Sequence, residues 1–128
     1  MTRCRQKSPV ILPAEYIGVE KGSGNLVRER WMNEKRLVFE DYAADYDRWF
    51  DDNAGIYRTQ LRLLSMAVPA QGHGLEVGVG SGRFAAPLGI RCGIDPSRRL
   101  AEMAKGRGVD VAIGVGEHLP YRSGSFDY

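Results

Sequence analysis

Between Gly74 and Gly82 the chain reads Gly-Leu-Glu-Val-Gly-Val-Gly-Ser-Gly, a run that few folds accept. Leu75, Val77 and Val79 alternate with Glu76 and Gly78 at the two-residue period of a β-strand, which predicts a strand passing straight into a glycine-rich turn. Glycine reaches backbone angles closed to other residues and carries no Cβ, so a bound group can lie against the peptide itself. A helix opening at Arg83 adds its first N–H groups and the positive end of its dipole to the same space. Read without a ligand, the same run is only a tight strand-to-helix turn.

The rest of the chain supplies a frame for that turn. From Asn33 a helical period sets in, with Phe39, Tyr42, Ala43, Tyr46 and Phe50 on one apolar-aromatic face and Glu40, Asp41, Asp45 and Asp47 on the others. Asn53 and Gly55 end it. A second amphipathic helix carries Tyr57, Leu61, Leu64 and Val68 in register and stops at Pro69. After the glycine turn come a short helix over 83–88, a strand over 90–94 ending in Asp95, and a helix begun by Pro96 and Ser97, with Leu100, Met103 and Ala104 on one face. A third strand follows, marked by Val109, Val111 and Ile113. Strand, helix, strand, helix, strand in this rhythm implies an α/β fold with a parallel sheet and right-handed crossovers. Ligands of such sheets bind beyond the carboxyl ends of the strands. Three candidates meet at that rim: the glycine turn, Asp95, and the loop from Gly114 to Glu117. Asp95 stands seventeen residues beyond Gly78, where a carboxylate can accept hydrogen bonds from both hydroxyls of a ribose. The competing reading makes it the N-cap of the helix after it.

The spacing of the glycines separates two kinds of nucleotide pocket. A dinucleotide fingerprint reads G-x-G-x-x-G. Here Gly78, Gly80 and Gly82 give G-x-G-x-G, two residues after Glu76. This resembles motif I of the class I S-adenosylmethionine-dependent methyltransferases. Two further segments resemble the same family: Tyr42-Ala-Ala-Asp-Tyr-Asp-Arg-Trp-Phe50 is similar to an A-x-x-Y-D-x-W element ahead of motif I, and Gly114-Val-Gly-Glu-His-Leu-Pro-Tyr121 with Ser125-Phe-Asp127 is similar to G-x-A-E-x-L-P-F … S-F-D. The resemblance runs from Phe39 to Tyr128. It implies S-adenosylmethionine as methyl donor, a small-molecule acceptor, and a Rossmann-like sheet of which strands 3-2-1 are the first half.

By the same resemblance the donor site comprises Glu76, Gly78, Gly80, Gly82, Asp95, Val115, Gly116, Glu117 and Tyr46. Val115, Gly116 and Glu117 border the adenine. Glu76 either holds the methionine end of the donor or bonds backbone N–H groups of the turn. Tyr46 either lies against the donor, where its ring attracts a sulfonium, or merely packs its helix. Two positions depart from the family: Val115 stands where many members have aspartate, and Gly116 replaces alanine, which loosens the loop. No catalytic base can be named from these residues.

With 128 residues the chain holds one modest domain. We divide it into an extension over 1–32, turn-rich around Gly22 to Asn25 with a short strand near Ile17 to Val19, and an incomplete methyltransferase domain over 33–128. The family's sheet has seven strands in the order 3-2-1-4-5-7-6, and Phe126-Asp127-Tyr128 is where the fourth begins. The chain therefore reads as an amino-terminal half, with its first strand left as an edge open to self-association. No apolar run reaches the length of a membrane span and no signal peptide is visible, so a soluble cytoplasmic protein is expected. A net charge of +2 singles out no partner, and neither the basic residues before Arg36 nor the acidic group from Glu40 to Asp52 marks a nucleic-acid surface. Cys4 and Cys92 make neither a metal cluster nor a disulfide framework, and Cys92 reads as a small buried side chain. His73 and His118 read as loop residues rather than metal ligands. Two other functions stay open: a NAD or FAD domain, and a non-catalytic remnant that serves as an interaction module.

Overall fold

The structure, a computed structural model, describes Cys4 and residues 38–128. The strand expected near Ile17 and the helix start at Asn33 lie outside the described residues, as does the 1–32 extension apart from Cys4. Residues 38–41 are helical and lead through Tyr42 into helix α1, Ala43–Asp52. Asn53 ends α1 with both its backbone and its side-chain N–H on the Trp49 carbonyl. Helix α2 follows at once, Ala54–Ala67, and stops where Val68 turns extended before Pro69.

Strands β1 (Leu75–Val77), β2 (Cys92–Asp95) and β3 (Asp110–Ile113) form one parallel sheet in the order β1-β2-β3. Leu75 lies opposite Cys92, and Cys92 opposite Asp110, so the strands end together at one rim. Helix α3, Arg98–Gly106, crosses from β2 to β3 and buries Leu100, Ala101 and Ala104. Val79, Ala85, Ile90, Val109 and Val111 complete the core beneath it. This matches the expected parallel order, although β1 is shorter than its alternation suggested. Val77 already faces out, while Val79 is buried in the turn.

Three expectations need correction. Residues 83–89 form successive turns rather than a helix. Pro87 has no N–H to give the Arg83 carbonyl, so that carbonyl instead accepts the Tyr57 hydroxyl, and Gly89 turns the chain at φ +76°. No helix dipole therefore points into the glycine turn from Arg83. Cys4 and Cys92 are joined by a disulfide, with Cα atoms 6.1 Å apart. The Cys4 N–H donates to Asp110 Oδ2 at 3.2 Å, which brings it to the amino-terminal ends of β2 and β3; a separation of 88 residues hid that proximity. Finally, the outer side of β1 is partly paired. Leu75 N–H donates to the Tyr128 carbonyl at 2.9 Å and Asp127 N–H to the His73 carbonyl at 2.8 Å, so the last residues run alongside the strand. Among the described residues no helix is long and apolar enough to cross a membrane.

Candidate functional site

The three glycines of the turn all have positive φ, yet their surroundings differ. At Gly78 (φ +74°) an added Cβ would meet open space; at Gly80 (φ +53°) it would lie 3.3 Å from the Tyr46 hydroxyl; at Gly82 (φ +79°) it would press within 3.0 Å of Ala104 Cβ. Gly82 therefore lets the turn pack on α3, while Gly78 leaves the backbone open to a ligand.

Asp95 ends β2 with its side chain beneath this turn. Its Oδ2 accepts the Gly80 N–H at 2.8 Å and its Oδ1 the Ser97 N–H at 2.8 Å. The cap of α3 is Ser97, whose Oγ accepts the Leu100 N–H at 3.2 Å, so Asp95 is not that cap. Each Asp95 oxygen keeps a second lone pair for a further donor. Burial raises its carboxyl above the usual range and the Glu40 charge adds to this, while the Ser97 and Gly80 N–H groups oppose.

Glu76 sits on β1 with Oε2 buried and without a hydrogen-bond partner among the described residues. Burial pushes its carboxyl up to about 7, the Ala85 N–H opposes, and the Asp95 charge raises it further. Tyr46 reaches over from α1. Burial raises its hydroxyl, and the charges of Asp95, Glu76 and Asp47 raise it more. Two desolvated carboxylates thus share a cleft with one tyrosine and with Gly78, whose backbone is approachable. An unpartnered buried carboxylate oxygen is costly unless a donor or a cation satisfies it.

The loop after β3 lies on the same rim, with Gly114 N–H on the Asp95 carbonyl at 3.1 Å and His118 N–H on the Val115 carbonyl at 3.1 Å. Val115 is half-buried, and Gly116 and Glu117 are exposed. A Cβ at Gly116 would come within 2.9 Å of Val77 Cγ1, so glycine here sets the loop close against β1 instead of simply loosening it. Tyr121, standing where the family signature has phenylalanine, donates its hydroxyl to the Gly93 carbonyl at 3.0 Å.

A second constellation escaped the sequence reading. Asp47, one residue beyond Tyr46, accepts Arg83 Nε at 2.9 Å through Oδ1 and Arg107 at 2.8 Å through Oδ2. Arg83 also reaches both carboxylate oxygens of Asp51 at 2.7 Å, and Arg107 donates to the Ser81 carbonyl at 2.9 Å. Burial works against ionised Asp47, but hydrogen bonds from Arg83 and Arg107 outweigh it and hold the carboxyl well below the usual range. The available signal was an arginine directly after the glycine turn and an aspartate directly after the tyrosine. Nothing local pairs residues so far apart in the chain.

A parallel sheet with a glycine turn after its first strand and an acid at the end of its second defines a Rossmann-like α/β domain. Residues 75–128 match the family model of a methyltransferase domain. Over 91 residues the chain is 46% identical to an uncharacterized protein of Methanocaldococcus jannaschii, covering 71% of this chain and 44% of that protein. An uncharacterized protein of Mycobacterium tuberculosis is 48% identical over 88 residues, which is 66% of this chain and 30% of that one. Among solved structures, a SAM-dependent methyltransferase of Thermotoga maritima, described as a possible histamine N-methyltransferase, matches with a TM-score of 0.68 at 44% identity. The match covers 71% of this chain and 44% of that one. Residues 75–128 thus match a methyltransferase-domain model, and the described fold is similar to that of a SAM-dependent methyltransferase. The chain spans less than half the length of these relatives.

Proposed function

We propose that the protein transfers a methyl group from S-adenosylmethionine to a small-molecule acceptor. The observation that carries this reading is the acidic cleft, in which Glu76 Oε2 is buried without a partner beside Asp95 and Tyr46. Such a cleft suits a ligand that is cationic at one end and bears hydroxyls at the other. S-adenosylmethionine, when bound, supplies the methyl group on a positively charged sulfonium. Asp95 would accept hydrogen bonds from the ribose hydroxyls, and Glu76 would accept them from the donor's ammonium group. The open backbone at Gly78 admits the ligand to the turn, the Tyr46 ring covers it, and Val115, Gly116 and Glu117 border the adenine. The residues' contribution is then alignment of donor and acceptor.

The same geometry argues against a dinucleotide. A pyrophosphate needs N–H groups at a helix start or free cations. Residues 83–89 offer no helix, and the guanidinium groups of Arg83 and Arg107 are engaged by Asp47 and Asp51. The T. maritima neighbour's description supports a small-molecule acceptor.

Calorimetric titration of the intact protein with S-adenosylmethionine and with NAD tests the reading. Binding of the first and not the second is expected; binding of NAD alone would overturn it. Asp95→Ala should weaken donor binding by about 1–3 kcal/mol, the cost of losing charge-assisted hydrogen bonds. An unchanged dissociation constant removes Asp95 from the ribose.

A further inference from the structure

Helix α1 is fastened over the glycine turn at two places, and both fasteners are carboxylates. Upstream, Glu40 Oε2 accepts the Ser97 hydroxyl at 2.7 Å, and the Glu40 carbonyl accepts Arg99 at 3.3 Å, at the start of α3. Downstream, Asp47 takes Arg83 from the exit of the glycine turn and Arg107 from the end of α3. Tyr46 lies between these fasteners, with its hydroxyl against Gly80. The downstream fastener is the stronger. Arg83 and Asp47 expose only 16% and 18% of their side chains, and they meet through two parallel N–H···O bonds. Such a bidentate pair fixes orientation as well as distance. Arg83 also stacks on the Phe50 ring, with its guanidinium carbon 5.8 Å from the centroid.

We infer that Asp47 is a positioning residue for the methyl donor: through Arg83 and Arg107 it ties helix α1 to the glycine turn and so sets Tyr46 over the cleft. This rests on the donor reading given above. It also gives a role to half of the acidic group from Glu40 to Asp52, as Glu40, Asp47 and Asp51 are spent on docking the helix.

Two readouts test the inference in the intact protein. In the ligand-free state, Asp47→Asn should speed amide hydrogen exchange in residues 43–52 while β2 and β3 stay protected, because only the helix loses its fastener. With S-adenosylmethionine, the same variant should bind about ten-fold more weakly, mostly through faster release. Tyr46→Ala combined with Asp47→Asn should bind no more weakly than Tyr46→Ala alone, which is the mark of a residue acting through its neighbour. Asp47→Glu, which keeps the charge, should recover part of the loss. Arg107→Ala gives an independent variant should Asp47→Asn fold poorly, and it should show the same two changes in smaller measure. Exchange in 43–52 that is unchanged in both variants, or effects of Tyr46 and Asp47 that simply add, would overturn the inference. Wild-type protein that binds no donor defeats the functional reading instead, and the exchange arm, read without ligand, keeps the two failures apart.

Discussion

Helices α1 and α2 follow one another with a single residue between them, and both are amphipathic, yet they lead different lives. Helix α1 buries Ala43 and Phe50, and its Asp47 and Asp51 are locked onto Arg83 and, for Asp47, Arg107, beyond the glycine turn. Helix α2 buries nothing completely and leaves Ile56, Leu63, Leu64 and Met66 exposed. Its described anchors are on one side: Tyr57 packs edge-on against Phe50 and Phe84, and its hydroxyl meets the Arg83 carbonyl. An amphipathic period states that a helix has an apolar face, and it leaves open what lies against that face. Here the glycine turn lies against α1, and among the described residues α2 is anchored through Tyr57 where it touches the same cluster.

Phe50→Ala is the largest expected break in this contrast. Phe50 is 5% exposed and meets Tyr46, Trp49, Tyr57 and Phe84, so truncation should cost about 3–5 kcal/mol in a denaturant titration. A loss below about 1 kcal/mol would mean that α1 is not packed as described. Tyr57→Phe is subtler. It keeps the ring and removes the hydroxyl that ties α2 to the Arg83 carbonyl, for an expected loss of about 0.5–1.5 kcal/mol. Smallest of all, Leu63→Ala in α2 should stay within about 0.5 kcal/mol, as its side chain is already in water. A larger loss would show that this face of α2 is covered in the intact protein.

What the sequence made legible follows the same line between local and distant. The glycine turn, the parallel order of the strands and the placement of Asp95 at their shared rim all came from patterns a few residues long. Residues 83–88 read as a short helix bounded by Pro87 and Gly89, but with those two residues so close to its start the segment forms only turns. Asp47, Arg83 and Arg107 form one cluster from three distant segments, and Cys4 meets Cys92 from the opposite end of the described chain. Such meetings are set by tertiary packing, and no window of sequence contains them. The reading of Glu76 lay between these cases. Its type and position were plain, but an oxygen buried without a partner is a property of the folded cleft.

That oxygen also supplies the most direct test. In the ligand-free protein the Glu76 carboxyl is pushed up to about 7, chiefly by burial and then by the Asp95 charge. A bound ammonium group favours the ionised form, so binding near neutral pH must expel the proton, and affinity must rise as pH increases toward 7 and level off above it. Titration with S-adenosylmethionine at about pH 6.5, just below the Glu76 midpoint, repeated in two buffers of different ionisation enthalpy, reads that proton. The account predicts net proton release in the wild type and much less in Glu76→Gln. Tight binding with no proton exchanged, or with equal release from Glu76→Gln, would contradict the claim that this cleft grips the charged end of the donor.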